Sequence, residues 1–246
     1  MLFYKTLCTL KPLKTSDIHV AKGPFTVSLA TRKDLKALYR LRFDCFYKEY
    51  LNLPDSVVGY DVNRHDIFAD YLVLKDGSSV VGTYRILSGE KPKDFSFSET
   101  FEVKNFKSIP GPVMELSRAC IAPSYRNSPI PILLLWRGLS AYLKSQGVKT
   151  LVGRVSMAGD DPAIARAVMS HLREQNFIRT DIEARARKPL GDGPQVEYSQ
   201  EMMPPILRSY LRLGAQVAAD TCFDPILKCF DIFTILDVNA LPSKFT

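Results

Sequence analysis

Residues 114–127, with the sequence MELSRACIAPSYRN, decide the fold. From residue 113 to residue 121 the apolar side chains fall on both faces of a strand, which is typical of a central strand in a sheet. Two charged residues, Glu115 and Arg118, interrupt the apolar run. Because an unpaired charge is costly inside a protein, both residues must find partners there. The stretch therefore predicts a central strand that contains a buried polar site.

Regular elements are predicted on both sides of this strand. Upstream, residues 25–29 alternate as a strand does, and Thr31 with Asp34 resembles a capping box before a helix that runs to about Tyr50. Downstream, Ser128 can cap a helix that ends at Gly147. The other predicted elements are a hairpin at 71–74 and 79–87, strands at 149–156 and 231–238, and helices at 161–175 and 206–213.

Arg42 is a further charge that the pattern places in the interior. At 100° per residue, Leu35, Leu38, Tyr39 and Phe46 share one face of the predicted helix, and Arg42 falls in the middle of that face. A guanidinium group facing the core needs a carboxylate or a ligand anion. Either a structural ion pair or a substrate site satisfies this requirement.

Composition limits the possible classes of protein. The chain has 246 residues, 46% of them hydrophobic and 24% charged, which predicts one folded domain over residues 25–246 behind a basic arm at residues 1–24. No apolar run approaches the roughly 18 residues of a membrane span, and no signal-peptide pattern opens the chain. A cytoplasmic location is therefore expected. The formal charge of +7 favours anionic partners, namely nucleic acid, an anionic membrane or an acidic protein.

Cysteine and histidine usage predicts that the chain has no metal site, and no tightly bound cofactor is expected either. The five cysteines, which have no CxxC spacing and read as reduced, are Cys8, Cys45, Cys120, Cys222 and Cys229. The three histidines, which form no HExxH motif or nucleophile elbow, are His19, His65 and His171. The chemistry is thus expected to rest on Glu, Asp, Arg and backbone groups.

The order of elements resembles the GNAT acyltransferase fold, an α/β (α+β) fold with a central, mixed, mostly antiparallel sheet, flanking helices and splayed central strands. Arg42 with Phe46, the two hairpin strands and the MELSR motif resemble the acyl-homoserine-lactone synthases and N-acyl amino acid synthases. Residues 114–127, 134–139 and 204–215 are similar to the ornithine acyl-carrier-protein N-acyltransferases, often called hemolysin-like. The resemblance spans roughly residues 29–241 and implies a bacterial type of enzyme.

This resemblance implies a reaction in lipid metabolism. A (3-hydroxy) fatty acyl group would pass from acyl carrier protein, the co-substrate, to the α-amino group of an amino acid, giving lyso-ornithine lipid when the acceptor is ornithine. Glycine, glutamine, lysine, serine and tyrosine remain alternative acceptors. The lactone synthases have a tryptophan where this chain has Asn52 and Leu53, and their acidic pair is matched only in part by Asp61, Asn63 and Asp66.

The resemblance also implies the site residues. Glu115 is the expected general base, and a bulge at this strand would bring it beside Arg118 and supply an oxyanion donor. The remaining catalytic candidates are Arg85 and Arg42, and the expected substrate-binding residues are Asp66, Phe46, Ser117 and Ser156. The alternative is a salt-bridge cluster that only stabilises the sheet.

The acyl donor is predicted from residues 124–131, which follow the central strand. GNAT enzymes that use coenzyme A bind its pyrophosphate with a glycine-rich loop here, whereas this stretch has no glycine and two prolines. Acyl carrier protein is thus the expected partner. The residues expected to bind its phosphopantetheine are Arg126, Asn127, Ser128 and Arg137.

Two other functions compete with this one. A coenzyme A-dependent GNAT acetyltransferase differs in the loop just described. A nucleic-acid or membrane module would need basic and aromatic residues along one stripe, but the basic residues here are scattered, so no nucleic-acid partner is expected. Peripheral contact with the inner face of an anionic membrane stays compatible with the basic charge.

Overall fold

The computed structural model describes residues 18–241, which divide into two compact units. One unit contains residues 18–87 and 116–147, and the other contains residues 88–115 and 148–241. The predicted central strand, Val113–Ile121, has its first three residues in the second unit and the others in the first. The division leaves the single domain over residues 25–246 a prediction.

Ten strands and four helices longer than one turn occur in residues 18–241. The strands are β1 (His19–Lys22), β2 (Phe25–Leu29), β3 (Asp70–Asp76), β4 (Ser79–Ser88), β5 (Phe101–Val103), β6 (Val113–Ile121), β7 (Thr150–Ala158), β8 (Ala184–Ala186), β9 (Gln216–Asp224) and β10 (Cys229–Asp237). The helices are α1 (Leu35–Phe43), α2 (Ile130–Ser145), α3 (Pro162–Glu174) and α4 (Pro205–Arg212).

In the first unit β1, β2, β3 and β4 pair in sequence order, and each strand is antiparallel to the next. The β3–β4 hairpin turns at Gly77, whose φ of 56° is one that glycine adopts without strain. Strand β1 corrects the predicted arm, because residues 19–22 pair with β2 instead of leaving the domain. Four residues at a sheet edge give too short a pattern to be recognised from sequence. The rest of the arm, residues 1–17, lies outside the described residues.

The helix after β2 changes its winding along its length. It is α-helical in α1, π-helical over Asp44–Lys48 and α-helical again over Glu49–Leu51. The predicted apolar face is confirmed for Leu38 and Tyr39, and Arg42 is fully buried among them. The π-helical turn was not predicted. It accommodates one extra residue and so changes the direction in which Phe46 projects.

Helix α2 lies close to the sheet of the first unit. A Cβ atom on Gly138 would come within 2.5 Å of Val27 Cγ1, so a larger residue here would push the helix off β2. As predicted from Ser128, the helix N-terminus receives a side-chain contact: the Ser128 Oγ accepts a hydrogen bond from the Ile130 N–H at 3.2 Å. The close approach fixes α2, and with it the loop that precedes it.

The second unit is built around β10, which pairs with β7 on one side and β9 on the other, both antiparallel. Beside these strands, β5 pairs with β8. Phenylalanine rings fill the space between the elements, and the ring centroids of Phe97 and Phe233 lie 5.1 Å apart, edge to face. This packing stabilises the segment at residues 95–106 that contains Ser96.

Candidate active site

Arg42 is the centre of a buried ion cluster in the first unit. Its Nε donates to Asp61 Oδ2 at 2.8 Å, and its Nη1 donates to Asp66 Oδ1 at 2.7 Å. All three side chains are at most 2% exposed. Burial disfavours the charged form of Arg42, but the two carboxylates outweigh burial and raise its pKa well above the ordinary value. The prediction that Arg42 needs a buried partner is therefore confirmed, with two aspartates as the partners.

Asp66 accepts hydrogen bonds from several residues of the first unit. Besides Arg42, the Tyr71 hydroxyl donates to Oδ1 at 2.8 Å and the Asn63 N–H donates to Oδ2 at 2.7 Å. Burial acts to raise the pKa of Asp66, yet Arg42, Arg85 and the Asn63 N–H hold that pKa well below its usual range. Asp66 is thus a permanently charged anchor.

Arg85 links this cluster to strand β6. Its Nε donates to Ser117 Oγ at 2.9 Å, and its Nη1 donates to Asn63 Oδ1 at 3.0 Å and lies 3.5 Å from Asp66 Oδ1. Ser117 is 7% exposed and Arg85 is fully buried. The structure thus brings together Arg42, Arg85, Asp66 and Ser117, four of the residues that the sequence predicted for the site.

Arg118 completes the cluster from a strained backbone position. Its φ is 50°, in the left-handed region that arginine rarely adopts, so the side-chain alternation of β6 breaks at this residue. The Nε atom lies 2.8 Å from Asp61 Oδ2, and the guanidinium carbon lies 5.5 Å from the centroid of the Phe46 ring. Asp61 thus joins Arg118 to Arg42. The bulge that would bring Glu115 beside Arg118 stays a prediction.

The cluster has an excess of positive charge. Three guanidinium groups, from Arg42, Arg85 and Arg118, face two carboxylates, from Asp61 and Asp66. Burial opposes the charge of Arg118, but Asp61 raises its pKa above the ordinary value, so the excess persists at any physiological pH. In the low dielectric of the interior such an excess attracts an anion.

Glu115 lies in the second unit and has a different partner from the one that the sequence predicted. Its Oε2 accepts from the Ser96 N–H at 2.6 Å and its Oε1 accepts from the Ser96 Oγ at 2.5 Å, with the carboxylate fully buried. Both oxygens are thus oriented by one residue, which sequence reasoning missed. Ser96 lies in a short 3-10 turn far from the strand in sequence, so no local pattern pointed to it.

Ser156 belongs to a polar group on β7 and β10. Its Oγ donates to Asp231 Oδ1 at 2.6 Å, and Asp231 Oδ2 also accepts from Arg154 Nη1 at 3.0 Å. A substrate role for Ser156 was predicted. The structure shows its hydroxyl hydrogen engaged by a carboxylate, so only its lone pairs remain for a ligand.

Arg126 has a different role from the predicted phosphate contact. Its Nη1 and Nη2 each donate to a carboxylate oxygen of Glu49 at 2.7 Å, its Nε donates to the Ile121 carbonyl at 2.7 Å, and Cys45 Sγ lies 3.4 Å from Nη2. A phosphate would have to displace Glu49 from this bidentate pair. Arg126 is thus paired within the protein, and its contact with phosphopantetheine stays a prediction.

The other residues predicted for that site remain accessible. Asn127 and Ser128 are exposed in the loop before α2, and Arg137 is exposed on the helix itself. The four cysteines in the described part of the chain, Cys45, Cys120, Cys222 and Cys229, are free and buried, as predicted. No group of three metal-binding side chains occurs within residues 18–241.

Comparison with known proteins identifies the fold. Residues 41–137 match the acetyltransferase (GNAT) domain family. FeeM, an N-acyl amino acid synthase from uncultured soil microbes, superposes with a TM-score of 0.55 at 11% identity, covering 89% of this chain and 94% of FeeM. The acyl-homoserine-lactone synthase LasI gives 0.50 at 17% identity, covering 88% and 94%. The predicted α+β GNAT fold with a mixed sheet and flanking helices is confirmed, whereas the splaying of its central strands stays a prediction.

The chain is an acyltransferase with the GNAT fold. It is similar to L-ornithine N(alpha)-acyltransferases from several bacteria. The protein of that name from Brucella abortus is 28% identical over 91% of this chain and 88% of its own length, and the one from Rhodobacter capsulatus is 23% identical over 92% and 95%. The resemblance indicated by the sequence motifs is thereby confirmed.

Proposed function

We propose that this chain transfers a (3-hydroxy) fatty acyl group from acyl carrier protein to the α-amino group of ornithine. The product would be lyso-ornithine lipid, an amide with a free carboxylate. The name shared by four curated relatives, which match 75–92% of this chain, supports ornithine as the acceptor.

The observation that carries the proposal is the buried cluster of Arg42, Asp61, Asp66, Arg85 and Arg118. A GNAT fold alone serves many acceptors, so function must be argued from the site. The cluster holds positive and negative groups within a few ångströms of each other. Such a site suits a small acceptor that has both a positive and a negative group. A free amino acid is such a molecule, whereas an uncharged polymer segment is not.

The chemistry requires a proton acceptor and a stabilised oxyanion. The amine of an amino acid is mostly protonated near neutral pH, and we assign Glu115 to accept its proton, directly or through a water molecule. The amine then attacks the thioester carbonyl and the C–N bond forms. The C–S bond breaks as the tetrahedral intermediate collapses, and the second proton of the nitrogen passes to the leaving thiolate. Ser96 holds both carboxylate oxygens of Glu115 in place for this step.

The loop before α2 favours acyl carrier protein over coenzyme A. The Ser128 hydroxyl already accepts from the Ile130 N–H, and Pro129 and Pro131 have no N–H groups. Few donors therefore remain for a pyrophosphate. The single phosphate of a carrier protein needs fewer donors, and exposed Arg137 offers a charge to its acidic surface.

The test is acyl transfer by the purified chain, with matched acyl carrier protein and acyl-coenzyme A donors and product detection by mass spectrometry. We expect N-acyl-ornithine from the carrier donor, with kcat/KM falling as salt rises because the encounter is electrostatically steered. Arg137→Glu should raise KM for the carrier more than it lowers kcat.

Equal kcat/KM for the two donors at low salt would exclude the carrier preference. Transfer to another amine in preference to ornithine would correct the acceptor. If the chain transferred only acetyl groups, it would be assigned to the coenzyme A-dependent acetyltransferases instead.

A further inference from the structure

Arg118 differs from the other two arginines of the cluster in what its guanidinium group contacts. Arg42 and Arg85 are fully buried. Both terminal nitrogens of Arg42 donate to Asp66, and Nη1 of Arg85 donates to Asn63. The Arg118 side chain is 20% exposed, and neither of its terminal nitrogens donates a hydrogen bond to any residue in 18–241. Its charge is thus placed in the site with the donor groups uncommitted.

The surroundings hold Arg118 in position without using these donors. Asp61 Oδ2 lies 2.8 Å from Nε, and the Phe46 ring packs 5.5 Å from the guanidinium carbon. The left-handed backbone costs roughly 1–2 kcal/mol for a residue with a side chain. Strain of this kind persists where the surroundings over-determine it, typically at functional sites.

The terminal N–H groups of Arg118 are suited to bind an anion with two oxygens in one plane. A guanidinium group binds a carboxylate through two parallel hydrogen bonds, and the excess positive charge of the cluster favours such a ligand. The neighbouring Asp61 selects among anions. Its Oδ1 accepts no hydrogen bond from any described residue, so it repels a phosphate dianion and can accept from an ammonium group.

We infer that Arg118 binds the α-carboxylate of the acceptor amino acid, with Asp61 Oδ1 accepting from its α-ammonium group. This inference rests on the proposed function and adds a requirement to it: the acceptor must have a free α-carboxylate. Arg118 is then a substrate-binding residue, and its neighbour Phe46 positions it.

The test compares L-ornithine with L-ornithinamide, in which a neutral amide replaces the carboxylate. The α-amine of the amide is less basic and less protonated near neutral pH, so the chemical step alone would favour the amide. For the wild-type chain we expect kcat/KM to be about 10- to 100-fold lower with the amide, the range for one charge-assisted interaction.

The variant Arg118→Gln should lower kcat/KM for ornithine by a similar factor. Its kcat/KM for ornithinamide should stay within about threefold of the wild-type value, as expected when one partner of a pair is removed. Arg118→Lys should recover part of the ornithine activity, because it keeps the charge but not the planar fork. Arg40→Gln, which changes a surface arginine of α1 paired with Asp44, is the matched control and should leave both amines unaffected.

Calorimetric titration of the wild-type chain with each amine gives a readout that needs neither turnover nor a folded variant. Tighter binding of ornithine than of its amide supports the site, even in the absence of acyl transfer. Equal binding of the two amines, or equal loss of activity with both in a folded Arg118→Gln, overturns the inference while leaving the proposed function intact.

Discussion

At the scale of single residues, Glu115 depends on one neighbour for its orientation. Gln at position 115 could keep both contacts, because its oxygen can accept from the Ser96 N–H and its amino group can donate to the Ser96 Oγ. The substitution thus removes the charge and the basicity while preserving the shape.

We therefore expect Glu115→Gln to fold normally and to lower kcat by about 10²- to 10⁴-fold, the usual range for a general base. Ser96→Ala, which keeps the carboxylate and loses one hydrogen bond, should lower kcat by only about tenfold. Steady-state kinetics with a melting curve for each variant checks this. Near-normal turnover in a folded Glu115→Gln would assign Glu115 to structure alone.

The residues around Arg42 give a prediction about stability. Arg42→Leu suits the apolar face of α1 but leaves Asp61 and Asp66 with less compensation, at a cost of about 3–5 kcal/mol in the free energy of unfolding. Arg40→Leu, two residues away on the same helix, breaks a partly exposed pair with Asp44 and should cost about 1 kcal/mol or less. Urea denaturation of the two variants measures both values, and equal costs would show that the buried cluster adds no stability.

At the scale of elements, the π-helical turn Asp44–Lys48 determines where Phe46 lies. Deleting one residue from such a turn restores α-helical winding, so ΔTyr47 should keep the helix and displace the ring from Arg118. We expect unchanged far-ultraviolet circular dichroism and a loss of activity of about tenfold or more. Tyr47→Ala, which removes the side chain but keeps the residue count, should retain activity within about threefold. Similar activities for the deletion and Tyr47→Ala would show that the extra residue has no functional purpose.

The elements predicted from the sequence share a strong local pattern. Strand β6 was predicted with its observed bounds, and α3 within a residue or two, because their apolar periodicity is continuous and their ends have capping or turn residues. Strands β5, β8 and β9 were missed. The first two have three residues each, and Gln216–Asp224 mixes buried and polar positions without a clear alternation.

The site was predicted in the same uneven way. Arg42, Arg85 and Arg118 were predicted because each is a charged residue within an apolar pattern. A charge at such a position is expected to be buried and to need a partner. Their partner Asp61 lies in an irregular segment whose course no periodicity describes, so its position beside two arginines could not be predicted.

At the scale of the whole molecule, the chain has a formal net charge of +7. No helix within residues 18–241 is long and apolar enough to cross a membrane. On α4 the apolar residues Leu207 and Leu211 are buried in the protein, whereas Arg212 is exposed. Any contact of this helix with a bilayer must therefore be electrostatic.

We expect the chain to float with anionic liposomes and not with neutral ones, each surface Lys or Arg contributing about 1 kcal/mol, and to be released by salt. Replacing Arg208 and Arg212 with Gln should weaken flotation, with Arg179→Gln as a control at a basic residue already paired with Asp181. Binding that is insensitive to both salt and lipid charge would contradict peripheral electrostatic attachment.

The left-handed backbone at Arg118 has a consequence for laboratory evolution of this enzyme. Glycine or asparagine would occupy that conformation with less strain, and Asp61 would still have Arg42 as a partner. A library screened for thermal tolerance alone should therefore lose the arginine early, whereas a library screened for product should retain it. The frequency of arginine codons at position 118 in the two screens would show whether this residue lowers stability while supporting acceptor binding.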